Sequence, residues 1–376
     1  MSKARGLRAF KLRESPYLIF FLLLLIPFAA LFLRPDFVGF DTYGYLAITC
    51  QNSNVSMASG MSFLAFKLLP CDFFAIKTLL FCLCFVSGAA VIKLATLFSP
   101  KNGWRASYLL FLSSALVLEF SKIENDQLAF PLLFVSTYLF FKAVKTGDRF
   151  AGLDSLMLVF VAAAFWEGAI FYLIGYTLNV WMLALLSIPA IIVFRGKIVA
   201  AILRTALVAE DLPFQFHIHF LANFGLFGAI LSPLLLPQAL FFFALGVASA
   251  KFWILSLPFL IVGAVLLLER VDMPRLNEIV FIIAVFSAFG LAQSVWLNPP
   301  QPEHWQAIDY ALEVGDGNIN NDWGLGYLVK WRGGETQSYM SPHQQQEFSE
   351  GQVVVSERDL NCSMLEEFGK AKVYKC

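Results

Sequence analysis

Pro16 to Leu33 is apolar throughout and carries no charge. About 20 such residues in a helix cross the hydrocarbon core of a bilayer. In lipid a backbone has to satisfy its own hydrogen bonds, so a chain that repeats such runs folds as a helical bundle or a closed barrel. The runs do recur: Phe73–Phe98, Tyr108–Phe120, Leu128–Phe141, a nearly continuous stretch from Ala151 to Phe194, then Phe216–Leu234, Gln238–Ala250, Phe252–Leu268 and Asn277–Leu297. Their lengths suit helices. The chain is 59% hydrophobic, against about 45–50% in soluble domains. The expected fold class is a polytopic α-helical membrane protein. A formal net charge of zero gives no sign of a nucleic-acid partner; the first partner is the lipid bilayer.

Basic residues set the orientation. Lys3, Arg5, Arg8, Lys11 and Arg13 precede the first run, which lacks an Ala-x-Ala cleavage site and reads as a signal anchor. Cytoplasmic flanks are enriched in Lys and Arg, so the N-terminus is expected in the cytoplasm. Lys101 and Arg105, then Lys142, Lys145 and Arg149, then Arg270 and Arg275 fall on the same side. An odd number of spans, about 9–11 at roughly 20 residues each, delivers the tail to the outside. The division of Ala151–Arg204 is left open. Residues 1–297 are expected to form the membrane domain and residues 298–376 an extracytoplasmic domain.

That tail is polar and rich in Gln and Glu. It reads as a small α/β domain: a helix from His304 to Glu313, strands at Asn318–Asn321 and Val353–Val355, a helix over Ser363–Phe368 and a closing strand at Ala371–Tyr374. Cys50 and Cys71 flank the first outer loop, and Cys362 and Cys376 bracket the end of the tail. If both regions lie outside, each pair can form a disulfide. Cys82 and Cys84 sit inside an apolar run and read as packing residues. Asn54-Val55-Ser56 and Asn361-Cys362-Ser363 fit the glycosylation pattern. Phe63–Leu69 suits a short helix lying along the interface.

By topology, three acidic elements converge on the outer face: Asp41, the turn Glu124-Asn125-Asp126, and Glu210-Asp211. Glu119 ends its span beside the second of these. Carboxylates from separate outer segments suit a divalent cation bound through oxygen; the plain alternative is a set of solvated turns. Glu167 interrupts an apolar run, where a carboxylate is a functional candidate by default. His217 and His219 read as interfacial polar residues rather than ligands.

The order of these elements resembles a known family. Gly39-Phe40-Asp41-Thr42-Tyr43 resembles the first outer-loop motif of GT-C class membrane glycosyltransferases, and in particular the catalytic subunit of oligosaccharyltransferase. Glu124-Asn125-Asp126, with Leu128-Ala129-Phe130 and the helix running to Gly147, is similar to the second acidic motif of that family. Trp166-Glu167-Gly168 resembles its Trp-Gly-Gly helix. Leu207-Val208-Ala209-Glu210 looks like its Ser/Thr-x-x-Glu element, with Leu207 in place of the hydroxyl residue. Trp305 and Asn321-Asp322-Trp323-Gly324-Leu325-Gly326-Tyr327 stand where the family carries Trp-Trp-Asp-Tyr-Gly.

The resemblance implies a GT-C-like membrane enzyme that inverts a sugar carried on a polyprenyl phosphate or pyrophosphate. It implies that Asp41 and Asp126 are catalytic, that Asp41, Glu124, Asp126 and Glu210 bind a divalent cation (Mn2+ or Mg2+), and that Asp322, Trp323 and Tyr327 meet the glycan, protein or lipid acceptor. The family's phosphate-binding arginine has no clear counterpart; Lys251 and Arg204 are the nearest basic residues. A transferase of single sugars onto a lipid-linked glycan, and an inactive relative serving as a binding subunit, are the alternatives. A transporter is disfavoured, because the charges cluster at span ends and not at mid-membrane.

Overall fold

A computed structural model describes residues 15–51, 61–179, 224–248, 253–271, 275–315, 318–322, 324–340, 348 and 350–376. The basic N-terminal flank, the Asn54 triplet, Arg204, Leu207, Glu210, Asp211, His217, His219, Lys251 and Trp323 lie outside the described residues. The chain divides into two compact units. The first comprises Met1–Ala29, Phe81–Phe120 and Asn125–Ala292; the second comprises Ala30–Leu80, Ser121–Glu124 and Gln293–Cys376.

The first unit is helical. Among the described residues of the chain, five helices are long and apolar enough to cross a membrane: Pro16–Leu33, Phe73–Phe98, Asp126–Thr146, Trp253–Arg270 and the run that begins at Leu276. We call the first of these α1; Asp41–Gln51 is α2, Met61–Leu68 is α3 and Phe73–Phe98 is α4. Helices Arg149–Phe165 and Leu236–Ala248 are shorter. Phenylalanine rings fill the space between α1 and α4: Phe21 and Phe28 both stand edge-on to Phe81. Close backbone approach needs glycine where Trp253–Arg270 meets residues 224–229. A Cβ on Gly263 would lie 1.9 Å from the carbonyl oxygen of Gly225, the small-residue contact typical of tightly packed membrane helices. One buried polar group in this unit is satisfied by its neighbours. The Ser136 hydroxyl lies 2.8 Å from the Tyr176 hydroxyl and 2.9 Å from the Ser155 carbonyl.

The run expected at Tyr108–Phe120 is broken. Helix Ala106–Leu109 passes into a 3-10 turn, Leu110–Leu112, and Ser113 is extended before helix Ser114–Glu119. The cause is local: the Ser113 hydroxyl accepts the Ala115 amide, the capping bond that starts a new helix.

In the second unit a five-stranded sheet runs in the order β2-β1-β3-β5-β4. The strands are β1 (Asn318–Asp322), β2 (Glu335–Met340), β3 (Val353–Ser356), β4 (Ser363–Phe368) and β5 (Ala371–Lys375). β1 pairs in parallel with β2 and β3, while β5 is antiparallel to both β3 and β4. Helices Pro302–Val314 and Leu325–Trp331 pack with the sheet, and α2 and α3 belong to the same unit. The expected helix over Ser363–Phe368 is therefore corrected to a strand. Almost none of its side chains is buried, so no apolar face was available to dock a helix. Gly369, at φ +61°, instead turns the chain into a hairpin, and Glu366 and Glu367 line an edge where charge discourages further pairing.

Both cysteine pairs expected to bond form disulfides, Cys50–Cys71 and Cys362–Cys376. The second closes a span of 14 residues, worth about 3 kcal/mol through the entropy of the unfolded chain. Replacing both cysteines by serine should lower the melting temperature of the tail and expose β4 and β5 to protease. Identical proteolysis with and without reductant would show that the bond contributes nothing.

Candidate functional site

The segment that carries Asp41 is built around Arg34. That side chain is 5% exposed. Its guanidinium donates to the carbonyls of Val295 (2.7 Å), Asn298 (2.8 Å) and Pro300 (2.8 Å), and to the Asp36 carboxylate (2.8 Å). The last carbonyls of a helix have no partners within it, and a cation beside them also complements the helix dipole. Arg34 thus caps the helix Leu276–Leu297, while Lys77 donates to the Arg34 carbonyl at 2.7 Å.

The chain then turns at Gly39, whose φ of +83° suits glycine. Its amide donates to the Pro299 carbonyl at 2.8 Å. Phe40 stands edge-on to the His304 ring, 5.4 Å between centroids. It also fills the space above Gly324, where a Cβ would come within 2.6 Å of the ring. Asp41, partly buried, opens α2, where a carboxylate is favoured by the helix dipole. The Thr42 hydroxyl donates to the Val38 carbonyl at 2.7 Å and accepts the Ile123 amide at 3.0 Å. The Tyr43 hydroxyl accepts the Phe37 amide, and its ring packs edge-on to Trp305 and Trp331. The Arg332 guanidinium covers the Trp305 ring at 4.9 Å.

The second acidic element is the turn that follows Glu119. Glu119, Glu124 and Asp126 lie on one short stretch of chain, all buried, and each offers a carboxylate oxygen within 4.8 Å of the others. Gln127 donates to both the carbonyl and the carboxylate of Glu119. Carboxylate oxygens drawn together out of solvent are the donor set that a hard divalent cation takes. Their chemistry therefore fits Mg2+ or Mn2+. Glu119 was legible only as a neighbour of this turn; the geometry makes it a full member.

The tail motif has a structural side. Asp322 ends β1, and its Oδ2 accepts the Ser356 hydroxyl and the Glu357 amide, both at 2.8 Å. This carboxylate ties β1 to the end of β3. Glu357 in turn lies 2.7 Å from His304 Nε2, and that hydrogen bond holds the Glu357 carboxyl below its usual range. The Gln301 amide donates to His304 Nδ1, which leaves Nε2 to carry the proton toward Glu357. Tyr327 is buried within helix Leu325–Trp331. Asp41, Glu124, Asp322 and Tyr327 all belong to the second unit, whereas Asp126 belongs to the first. The sequence did not mark Arg34 at all, and it showed Thr42 and His304 only as members of a motif and of a helix; the roles of all three depend on partners far along the chain.

No protein-family model matches the chain, and no curated protein matches it. Among solved structures, the crystal structure of the Archaeoglobus fulgidus oligosaccharyltransferase in the apo form is similar, with a TM-score of 0.53 at 11% identity. The match covers 86% of this chain and 64% of that one, so the chain spans less than two thirds of its neighbour's length. At this identity the likeness is one of architecture: the chain has an oligosaccharyltransferase-like fold, with apolar helices and a small C-terminal sheet.

Proposed function

We propose that this chain is a membrane glycosyltransferase of the GT-C class, oligosaccharyltransferase-like, which moves a sugar or oligosaccharide from a polyprenyl-linked phosphate or pyrophosphate donor to an acceptor. The observation that carries the reading is the joining of Asp41 and Glu124 within one unit: the two residues flank a direct hydrogen bond from Ile123 to Thr42, on a fold similar to that of an oligosaccharyltransferase. Residues 1–297 form the membrane domain in this reading, with the N-terminus in the cytoplasm and residues 298–376 outside.

The reaction is an inverting displacement. The acceptor nucleophile attacks the anomeric carbon, the bond from that carbon to the phosphate oxygen breaks, and the phosphate leaves with the electron pair. Asp41 orients the acceptor and takes its proton, and Asp126 supports it. Glu119, Glu124, Asp126 and Asp41, with Glu210, would hold a divalent cation. That cation, when bound, neutralises the charge that develops on the leaving phosphate. Asp322, Trp323 and Tyr327 border the acceptor.

The test is transfer in proteoliposomes. Purified chain, a polyprenyl-pyrophosphate glycan and candidate peptide, glycan and lipid acceptors are incubated with Mn2+, with Mg2+, or with chelator. Labelled sugar should leave the donor only when cation is present. Donor that stays intact with every acceptor, or transfer indifferent to chelator, would overturn respectively the transferase and its cation dependence.

A further inference from the structure

We propose that Thr42 is a positioning residue that sets the Asp41 carboxylate against Glu124; the proposal rests on the cation-assisted reading above. Thr42 follows Asp41, and Ile123 precedes Glu124. A short polar link joins the two acidic segments at this point: the Ile123 amide donates to Thr42 Oγ at 3.0 Å, and Thr42 Oγ donates to the Val38 carbonyl at 2.7 Å. The hydroxyl is therefore used in both directions, and Thr42 is 0% exposed. A second contact fixes the register. The Lys122 stem passes 3.4 Å from where a Cβ of Gly39 would stand, so residues 39 and 42 rest against residues 122 and 123 in order.

This pairing also explains a feature of the contact pattern. Ser121–Glu124 belong with the second unit although the residues on either side belong to the first. The tip of the acidic turn is held by the segment that carries Asp41. A buried amide that loses its acceptor is costly, so without the Thr42 hydroxyl the tip would move to find another partner, taking Glu124 away from Asp41. Residues that orient metal ligands in this way typically change metal affinity by about 10–100-fold when removed.

The experiment uses the full-length chain in detergent with Mn2+ alone as probe. Free Mn2+ is counted by its electron paramagnetic resonance signal, and melting is followed with and without the ion. Thr42→Val keeps the shape and removes the hydroxyl; it should weaken Mn2+ binding by about 10–100-fold and shrink the ion-induced rise in melting temperature. Thr42→Ser keeps the hydroxyl and should bind as the wild type does. If Thr42→Val does not fold, Thr42→Ala takes its place. Wild-type affinity in the hydroxyl-free variant would overturn the positioning role alone. A wild-type chain that binds no Mn2+ would overturn the cation reading first, and this proposal with it. Loss of folding in both hydroxyl-free variants would make Thr42 a structural residue and equally overturn the proposal.

Discussion

Asp41→Asn should lower sugar transfer by about two to three orders of magnitude, the scale of losing one key electrostatic contact in a transition state. The substitution keeps the side chain's shape and removes its charge. The fold around it should tolerate the change. Phe40 stays wedged against His304, Thr42 keeps its bonds to Val38 and Ile123, and loss of a carboxylate from the first turn of a helix costs only about 0.3–1 kcal/mol. Melting of the variant without cation should therefore stay close to that of the wild type. Donor binding should survive too, because the polyprenyl chain partitions into lipid whatever the charge at residue 41. The measurement is the initial rate of transfer at saturating donor, with cation present. A variant that transfers at the wild-type rate would remove Asp41 from the chemistry and leave only the fold.

Arg34→Met should destabilise the chain by about 3–5 kcal/mol, the cost of removing one partner from a buried charged network. Methionine fills much of the same volume, so the loss isolates the guanidinium. Left behind are the carbonyls of Val295, Asn298 and Pro300 and the carboxylate of Asp36, each of which had its donor. Arg34→Lys should recover only part of the loss. An ammonium is a compact point charge, and it cannot fork to acceptors on both sides as a planar guanidinium does. Yield and thermal melting in detergent give the answer. Unchanged melting of Arg34→Met would show that water replaces the guanidinium at no cost.

Much of the fold was legible because its signals are local. Apolar length alone located α1, α4 and the helices beginning at Asp126, Trp253 and Leu276, and alternation with turn residues located β1, β3 and β5. Ser363–Phe368 misled because Asn361 and Ser363 are residues that cap helices, while pairing with β5 decides the outcome. The acidic residues were legible as types and in order, but their burial was not. Glu119, Glu124 and Asp126 read as a polar turn, and nothing local signals that their carboxylates withdraw from solvent. The same limit hid Thr42 and Arg34, since the partners that give them roles lie 81 and more than 260 residues away.

The bonds of Arg34 and Gly39 also bear on when the site comes into being during synthesis. Ribosomes add about 5–20 residues per second, so roughly a quarter of a minute or more separates the emergence of Arg34 from that of its acceptors at Val295 and Pro300. Until then the Gly39 amide has no Pro299 carbonyl to meet, and the segment bearing Asp41 lacks its template. A nascent or truncated chain that stops short of residue 295 would carry every apolar run up to that point and still present no ordered Asp41. Ordering of the segment that bears Asp41 is thereby deferred until residues 295–300 have been made.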